Sequence, residues 1–231
     1  MEQTRAGAAA GRAAYDGIAD WYEHEFLTAQ RAAGDPLGIR TALAGLLGPG
    51  RGPCLEVGCG TGEYAAQLRG LGWTPVGADL SAGMLQHARD RLPAVRADAA
   101  RLPFRDGSLP AVTAVMAHTD MPRYPDVLRE VARVLAPGGV FVHVGVHPCF
   151  CGGFADRTDP AAVVIRPGYL DGHWTMESWS SQGLRDKVGA SHWPLPELLH
   201  GVLAAGLTLD RFAEGGSPVP TMLAFRARRP A

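Results

Sequence analysis

The sequence predicts an α/β fold: a doubly wound, mostly parallel seven-stranded sheet with N-terminal helices and a substrate-covering insertion after strand five. Three observations support this prediction. Short apolar segments alternate with segments of helical period between residues 53 and 146. A glycine-rich turn joins the first of these strands to the helix that follows it. The alternation then stops at His147, and a long irregular stretch precedes one more helix and two strands.

The first 50 residues are expected to form an N-terminal helical cap. Residues 1–12 are small and polar, which predicts little order. Apolar side chains at helical spacing predict a helix over residues 13–33. Pro36 suits a first helical turn and predicts a second helix over residues 36–47, which Gly48-Pro49-Gly50 should end.

Residues 53–147 are expected to form the ligand-binding core. Its strands are predicted at residues 53–57, 74–78, 94–97, 111–117 and 140–146. Its helices are predicted at residues 62–70, 81–91 and 124–135. Ser81 is a good N-cap for the second helix, and Pro137-Gly138-Gly139 should end the third. Strands separated by helices of this size predict parallel pairing.

Residues 148–193 carry glycines, prolines and three tryptophans but show no clear helical period. Irregular stretches of this length are usually functional or disordered, and the tryptophans favour a functional segment that covers the substrate. The last part of the chain, residues 194–231, predicts a helix over 194–205 and strands over 208–212 and 221–226. Residues 1–231 are therefore expected to form a single domain.

The composition excludes some classes of function. The net charge is −1, from 22 Lys+Arg and 23 Asp+Glu, so the chain lacks the broad basic field typical of nucleic-acid binding. No stretch reaches 18 apolar residues, and the N-terminus shows no secretory apolar segment. Cys149-Phe150-Cys151 is only a weak metal signal, and we expect no metal site. The protein is expected to be cytoplasmic, with no membrane span.

The sharpest motif is the turn from Leu55 to Gly62, with glycines at 58, 60 and 62 that let the backbone lie against a ligand. In open α/β sheets, ligands bind beyond the carboxyl ends of the strands. A dinucleotide fingerprint would need a small residue where Glu63 stands, and a phosphate-binding loop would need a lysine. The turn therefore predicts a nucleoside ligand without phosphates.

Three carboxylates follow or end the first three strands. Asp79 ends the second strand and can accept hydrogen bonds from both hydroxyls of a ribose. Asp98, with the backbone amide of Ala99, can bond an adenine ring. Glu56 can orient the glycine turn or accept from an amino group. Three carboxylates around one cleft suit a cationic ligand and repel a polyanion.

These motifs, in this order and spacing, make residues 53–146 resemble the class I S-adenosylmethionine-dependent methyltransferases. Leu55–Gly62 matches the family's glycine motif, Asp79 its ribose-binding acid and Asp98-Ala99 its adenine motif. The resemblance implies a Rossmann-like fold, S-adenosyl-L-methionine as cofactor and S-adenosyl-L-homocysteine as product. The cofactor contacts that the sequence and the resemblance imply are Tyr15, Tyr22, Glu56, Gly58, Cys59, Gly60, Gly62, Asp79, Leu80, Met84, Asp98, Ala99 and Met116.

The segment from Tyr15 to Tyr22 resembles small-molecule members of the family. This resemblance implies methyl transfer to an oxygen, nitrogen or carbon atom of a metabolite, of the kind found in secondary metabolism. Tyr15 and Tyr22 are equally expected to pack the first helix on the core. The tryptophans of the insertion, with Phe150, Phe154 and Tyr169, are expected to form an apolar acceptor pocket.

A general base is needed only if the acceptor must lose a proton before it attacks. His147, at the end of strand five, is the first candidate, because histidine titrates near neutral pH. His192, just before the helix at 194, is the second. His118 ends strand four at the same edge of the sheet, and His173 lies in the insertion. For each of these, ordinary packing or solvation is the competing interpretation.

Other functions stay open at this point. The same fold and cofactor serve cyclisation or S-adenosylmethionine cleavage, and a non-catalytic nucleoside-binding subunit would show the same glycine turn. Methylation of nucleic acid fits poorly, because strand four ends in Ala117-His118-Thr119-Asp120 rather than in an N/D-P-P-Y-type segment. The expected partner is a small-molecule acceptor, and the sequence allows a monomer or a homodimer.

Overall fold

The computed structural model describes residues 13–159, 161–179 and 182–231. The prediction that residues 1–12 have little order lies outside these residues. The N-terminal segment is helical but changes its winding along its length. It consists of a 3-10 turn (Ala14–Gly17), α1 (Ala19–Trp21), a π-helical stretch (Tyr22–Phe26) and α2 (Leu27–Ala33).

The second predicted helix begins later than the sequence indicates. Helix α3 spans Ile39–Leu47, so the prediction that Pro36 opens it was wrong. Gly38 has a φ of +70°, which breaks the helical path just before Ile39. The Asp35 carboxylate accepts hydrogen bonds from the backbone N–H groups of Arg40 and Thr41 and so satisfies the start of the helix.

The central alternation of strands and helices is present as predicted, with small shifts at element ends. Its strands are β1 (Pro53–Val57), β2 (Thr74–Asp79), β3 (Ala94–Arg96), β4 (Leu109–Val115) and β5 (Leu135–Val146). Its helices are α4 (Ala65–Gly70), α5 (Ala82–Ala88) and α6 (Tyr124–Val134). A 3-10 turn, His118–Asp120, follows β4.

The insertion after β5 contains short elements rather than an open loop. β6 (Ala155–Asp156) pairs with β7 (Val164–Ile165), and β8 (Trp174–Thr175) pairs with β9 (Ala190–Ser191). Helix α7 (Leu184–Val188) lies between β8 and β9 in the chain. That this insertion covers a substrate stays a prediction.

The C-terminal part adds α8 (Leu195–Ala204), β10 (Thr208–Gly215) and β11 (Met222–Arg228). The central sheet has seven strands in the order β10-β11-β5-β4-β1-β2-β3. Strands β1 to β5 pair in parallel, and β11 is antiparallel to both β5 and β10. This confirms the mostly parallel, doubly wound sheet.

Side chains of β1 alternate between two apolar layers. Leu55 and Val57 pack into the layer formed with α6 and α8, whereas Cys54 packs into the layer that contains α3 and Leu68 of α4. Each fully buried aliphatic side chain of this kind contributes about 1.5–3 kcal/mol. The carboxyl end of β1 is therefore held from both faces. Among the described residues, no helix is long and apolar enough to cross a membrane.

Candidate functional site

The turn after β1 has a backbone conformation that requires glycine. Gly58, Gly60 and Gly62 have φ angles of +68°, +52° and +77°. A Cβ atom on Gly58 would stand 2.8 Å from the Cβ of Ala117, and one on Gly62 would stand 2.5 Å from Leu92. L side chains rarely adopt these angles, and the space for them is filled. The turn therefore presents bare backbone at the carboxyl end of the sheet.

Cys59 points away from this surface. Its thiol is buried, and a Cβ on Gly77 of β2 would stand 2.5 Å from the Cys59 sulfur. The backbone N–H groups of Gly58 and Cys59 instead hold the turn, because both donate to the carbonyl oxygen of Ala78. Only the backbone of Cys59 is positioned to take part in the site.

The Asp79 carboxylate fastens the glycine turn to β2. One oxygen, Oδ2, accepts the N–H of Gly60 at 2.8 Å, and the other, Oδ1, accepts the N–H of Ser81 at 2.8 Å. Burial raises the pKa of Asp79 above its ordinary value. Each oxygen keeps a further lone pair for a ligand hydroxyl. The ribose role of Asp79 stays a prediction, and its carboxylate lies against the turn as that role requires.

Glu56 is the most unusual group in the site. The residue is 1% exposed, and its Oε2 atom has no hydrogen-bond partner among the residues that the structure describes. Burial raises its pKa to about 8, with the negative charges of Asp79 and Glu63 adding to the effect. A buried carboxyl oxygen without a partner is costly unless a ligand completes it. A cationic amino group would satisfy Glu56 and restore its charge.

The adenine-binding candidates lie at the end of β3. Asp98 is exposed, and its carboxylate accepts from the N–H of Ala100 at 2.9 Å and from Arg123 at 3.1 Å. Ala99 is half-buried beside it. An adenine ring would have to share Asp98 with Arg123, so this assignment stays a prediction.

The three apolar candidates, Met84, Leu80 and Met116, differ in burial and in backbone conformation. Met84 is buried, and its Cε would stand 3.1 Å from a Cβ on Gly60, so it supports the turn from α5. Leu80 is 50% exposed and free to cover a ligand. Met116, just after β4, has a φ of +54°, a conformation that costs a non-glycine residue free energy and clusters at functional sites.

Tyr15 and Tyr22 lie next to a buried ion pair, Arg185 with Asp120, that no sequence motif predicts. The Tyr15 hydroxyl donates to the Asp120 carboxylate at 3.1 Å, and the Tyr22 ring packs edge-to-face on Tyr15. Arg185 of α7 forms an ion pair with the same carboxylate and donates to the Thr119 hydroxyl at 2.9 Å. Burial raises the pKa of Tyr15, so its hydroxyl keeps the proton it donates.

This junction joins three distant parts of the chain: the N-terminal helical segment, the turn after β4 and the insertion. Asp120 has one signal in the sequence, its position directly after the fourth strand. Arg185 lies 65 residues away from Asp120 in the chain and carried no motif.

A narrow cavity lies between the insertion and the ends of β4 and β5. It is open to solvent at its mouth, and the space inside it that a water-sized sphere can occupy is only about 10 Å³, room for about one water molecule. The lining residues that matter for chemistry are His118, Thr119, Phe154, Trp179, His192 and Trp193. Aromatic walls with a few polar groups are typical of small-molecule pockets.

Two of the predicted bases reach this cavity. His192 donates its Nε2 proton to the Tyr169 carbonyl oxygen at 2.6 Å, so Nδ1 carries the free lone pair. His118 is 2% exposed, and burial, with His143 and Arg185 nearby, holds its pKa well below the ordinary value. Burial also lowers the pKa of His192. Both rings are therefore neutral near pH 7.

His147 lies elsewhere, toward the β10–β11 side of the sheet. Its Nε2 donates to Glu214 of β10 at 2.8 Å, and its Nδ1 accepts the N–H of Cys149 at 3.2 Å. Neither nitrogen has a lone pair left for a substrate proton. The assignment of His147 as base stays a prediction, and the geometry favours the two cavity histidines.

Comparison with known proteins gives a consistent result. A family model described as "Methyltransferase domain" matches residues 55–143. The demethylmenaquinone methyltransferase of Thermus thermophilus is 38% identical over 160 residues, which cover 65% of this chain and 71% of that protein. Methyltransferase GfsG of Streptomyces halstedii is 42% identical over 95 residues, covering 37% of this chain.

The chain spans only 34% of the length of GfsG. Among solved structures, an S-adenosylmethionine-dependent methyltransferase from Mesorhizobium loti superimposes with a TM-score of 0.66 at 22% identity. That superposition covers 83% of this chain and 96% of the other, which shows that the two share the fold.

Proposed function

The chain belongs to the S-adenosylmethionine-dependent methyltransferase family, and on that premise we propose that it methylates an oxygen, nitrogen or carbon atom of a small-molecule metabolite. The observation that carries this proposal is the pairing of the bare glycine turn with the buried carboxyl of Glu56, whose Oε2 atom has no hydrogen-bond partner within residues 13–159, 161–179 and 182–231. Burial disfavours the ionised form of Glu56, and a cationic ligand would stabilise that form, whereas a neutral or anionic ligand would not. An adenosyl amino acid with a cationic amino group satisfies it and fits the phosphate-free turn.

The residues present fit this cofactor, which supplies a methyl group on a positively charged sulfur. Glu56 would accept from the amino group, Asp79 from the ribose hydroxyls, and Asp98 with the Ala99 amide would bond the adenine. Leu80 is exposed at the edge of the cleft and would cover the bound nucleoside. These residues align the reacting atoms, which is the main contribution that such a displacement needs from a protein.

The acceptor would bind at the cavity lined by Phe154, Trp179 and Trp193, which must widen to admit it, because the enclosed space of about 10 Å³ holds about one water molecule. Aromatic walls favour an acceptor with a planar or apolar body and exclude water from the reaction. Where the acceptor must lose a proton, Nδ1 of His192 would take it, because Nε2 already donates to the Tyr169 carbonyl oxygen, and His118 is the second candidate. With a net charge of −1, the chain favours a free metabolite over a nucleic acid.

Titration calorimetry with S-adenosyl-L-homocysteine tests the cofactor part of this proposal. We expect the parent protein to bind it and the Asp79→Ala variant to bind much more weakly, because two hydrogen bonds that shape the turn are lost. The exposed Asp90→Ala variant is the control and should bind like the parent. Absence of binding by the parent protein ends the proposal.

Mass spectrometry of the reaction products separates methyl transfer from other reactions of the same fold. Methyl transfer adds one CH₂ to the acceptor and yields S-adenosyl-L-homocysteine. Cyclisation would leave the mass of the acceptor unchanged, and cleavage of the cofactor would proceed without an acceptor. Binding without any turnover would favour a nucleoside-binding subunit.

A further inference from the structure

The N-terminal helical segment runs along α5 in a regular register. Asp16 accepts hydrogen bonds from the Ser81 hydroxyl at 2.6 Å and from the Gly83 N–H at 3.0 Å. A Cβ on Gly83 would stand 3.1 Å from the Cβ of Ala19, so the two elements are in close contact. These contacts fix the start of α5 against the N-terminal segment.

One helical turn further along both elements, three metal-ligating side chains meet. His87 of α5 lies with its Nε2 2.9 Å from the Asp20 carboxylate. The His24 ring packs edge-to-face on the His87 ring, with 5.5 Å between ring centres. The contact between Asp20 and His87 does not explain why His24 lies beside them. One donor atom from each of the three side chains lies within 4.8 Å of the other two.

We propose that Asp20, His24 and His87 form a binding site for a zinc-class divalent cation. Zinc bonds to histidine nitrogen and carboxylate oxygen are about 2.0–2.2 Å long, so tetrahedral ligands stand about 3.4 Å apart. Closing the present arrangement around an ion requires movements of about 1 Å. The exposed Asp20 and His24 side chains can supply them by rotation. Water would complete the coordination.

The chemistry of the three ligating side chains determines which metal ions the site favours. Two imidazoles and one carboxylate suit Zn²⁺ and its neighbours among the late first-row metals. Mg²⁺ and Ca²⁺ prefer oxygen ligands and would gain little from two histidines. The sequence alone predicted no metal site, because Asp20 and His24 are separated from His87 by more than 60 residues and match no zinc motif.

The bound ion would tie the N-terminal segment to α5. That helix, which Ser81 caps, carries Met84, whose side chain lies beside Gly60 of the glycine turn. The ion would therefore stiffen one wall of the cofactor cleft without touching the reacting atoms. This site does not depend on the proposed methyltransferase activity.

Calorimetry with zinc chloride, on untagged full-length protein freed of metals by a chelator, tests the site. We expect one ion per chain to bind more tightly than Mg²⁺ or Ca²⁺. Loss of even an outer-shell partner weakens metal binding about 10–100-fold, so His24→Ala and His87→Ala should each weaken it at least tenfold. Circular dichroism confirms that these variants are folded.

Two control variants separate this site from other ligands. His200→Ala removes an exposed histidine of α8, and Cys149→Ser removes a partly exposed thiol. Both should bind zinc like the parent protein. Zinc should also raise the melting temperature of the parent and leave that of His24→Ala unchanged. The proposal is overturned if the parent binds no zinc, if the histidine variants bind it equally well, or if Cys149→Ser abolishes binding.

Discussion

The most specific consequence of the site concerns the pH dependence of stability caused by Glu56. Its carboxyl is buried, one of its oxygens has no hydrogen-bond partner in the described part of the chain, and burial raises its pKa to about 8. The folded protein therefore holds this proton at neutral pH, whereas the unfolded chain releases it. Glu56→Gln replaces the neutral carboxyl by a group of similar shape that cannot ionise.

The sign of the effect follows from the raised pKa. Between the unfolded pKa and the folded pKa, the folded protein binds more protons, so stability falls as the pH rises. With an unfolded pKa of 4.5 and a folded pKa of about 8, Glu56 should lower the unfolding free energy by about 3 kcal/mol between pH 6 and pH 9. Above the folded pKa, this loss becomes constant.

Urea unfolding of the ligand-free protein at pH 6 and pH 9 measures this effect. The parent should lose about 3 kcal/mol more than Glu56→Gln over this range. The matched control is Glu25→Gln, which removes an exposed carboxyl of the N-terminal segment and should follow the parent. An equal pH dependence in the parent and Glu56→Gln would refute the reasoning about this buried carboxyl.

Three further predictions follow from the site. Gly58→Ala should destabilise the protein in urea unfolding by about 1–3 kcal/mol more than Gly38→Ala. Both glycines have a positive φ, +68° and +70°, but a new Cβ on Gly58 would stand 2.8 Å from the Cβ of Ala117, whereas the nearest described neighbour of one on Gly38 is Met222 at 3.9 Å, so equal losses would contradict the argument from close contact. Arg185→Met leaves Asp120 buried without its cation and should cost about 3–5 kcal/mol, part of which a second substitution, Asp120→Asn, should recover. A loss below about 1 kcal/mol would mean that the ion pair is effectively solvated. His192→Gln should lower turnover of a protic acceptor about 10²–10⁴-fold and leave cofactor affinity unchanged, and unchanged turnover would exclude His192 as the base.

The fold, the glycine turn and the carboxylates at the strand ends are predictable because their signals are local, whereas the contacts of these residues with a cofactor stay predictions. The glycines of the turn and the carboxylates at the strand ends each depend on a few neighbouring residues. In a parallel sheet, the carboxyl ends of neighbouring strands meet at one edge, so Glu56 and Asp79 had to lie close together.

The remaining site residues depend on contacts between distant parts of the chain. The pairing of Arg185 with Asp120 requires the path of the insertion, which no local pattern specifies. His147 was assigned from the strand end alone. Strands β11 and β10 add to the sheet next to β5 in antiparallel orientation, which brings Glu214 within reach of the His147 ring. That pairing of strands depends on the tertiary structure and has no local sequence signal.

The start of α3 shows a related local failure. Pro36 is compatible with a first helical turn, but Gly38 adopts a left-handed conformation and Asp35 supplies the hydrogen bonds that begin the helix at Ile39. The π-helical stretch at Tyr22–Phe26 likewise has no sequence signature, because the pattern of apolar residues fits an ordinary helix.

The central claim is that Glu56 receives the cationic end of the cofactor, and proton counting by calorimetry tests it most directly. Binding of S-adenosyl-L-homocysteine at pH 7 is measured in two buffers of different ionisation enthalpy, for the parent and for Glu56→Gln. With a pKa of about 8, the Glu56 carboxyl is protonated in about 90% of the molecules before binding. Because the bound amino group restores the charge of Glu56, the parent should release about 0.9 more protons per bound ligand than the variant. Equal proton release by the two proteins would contradict this account.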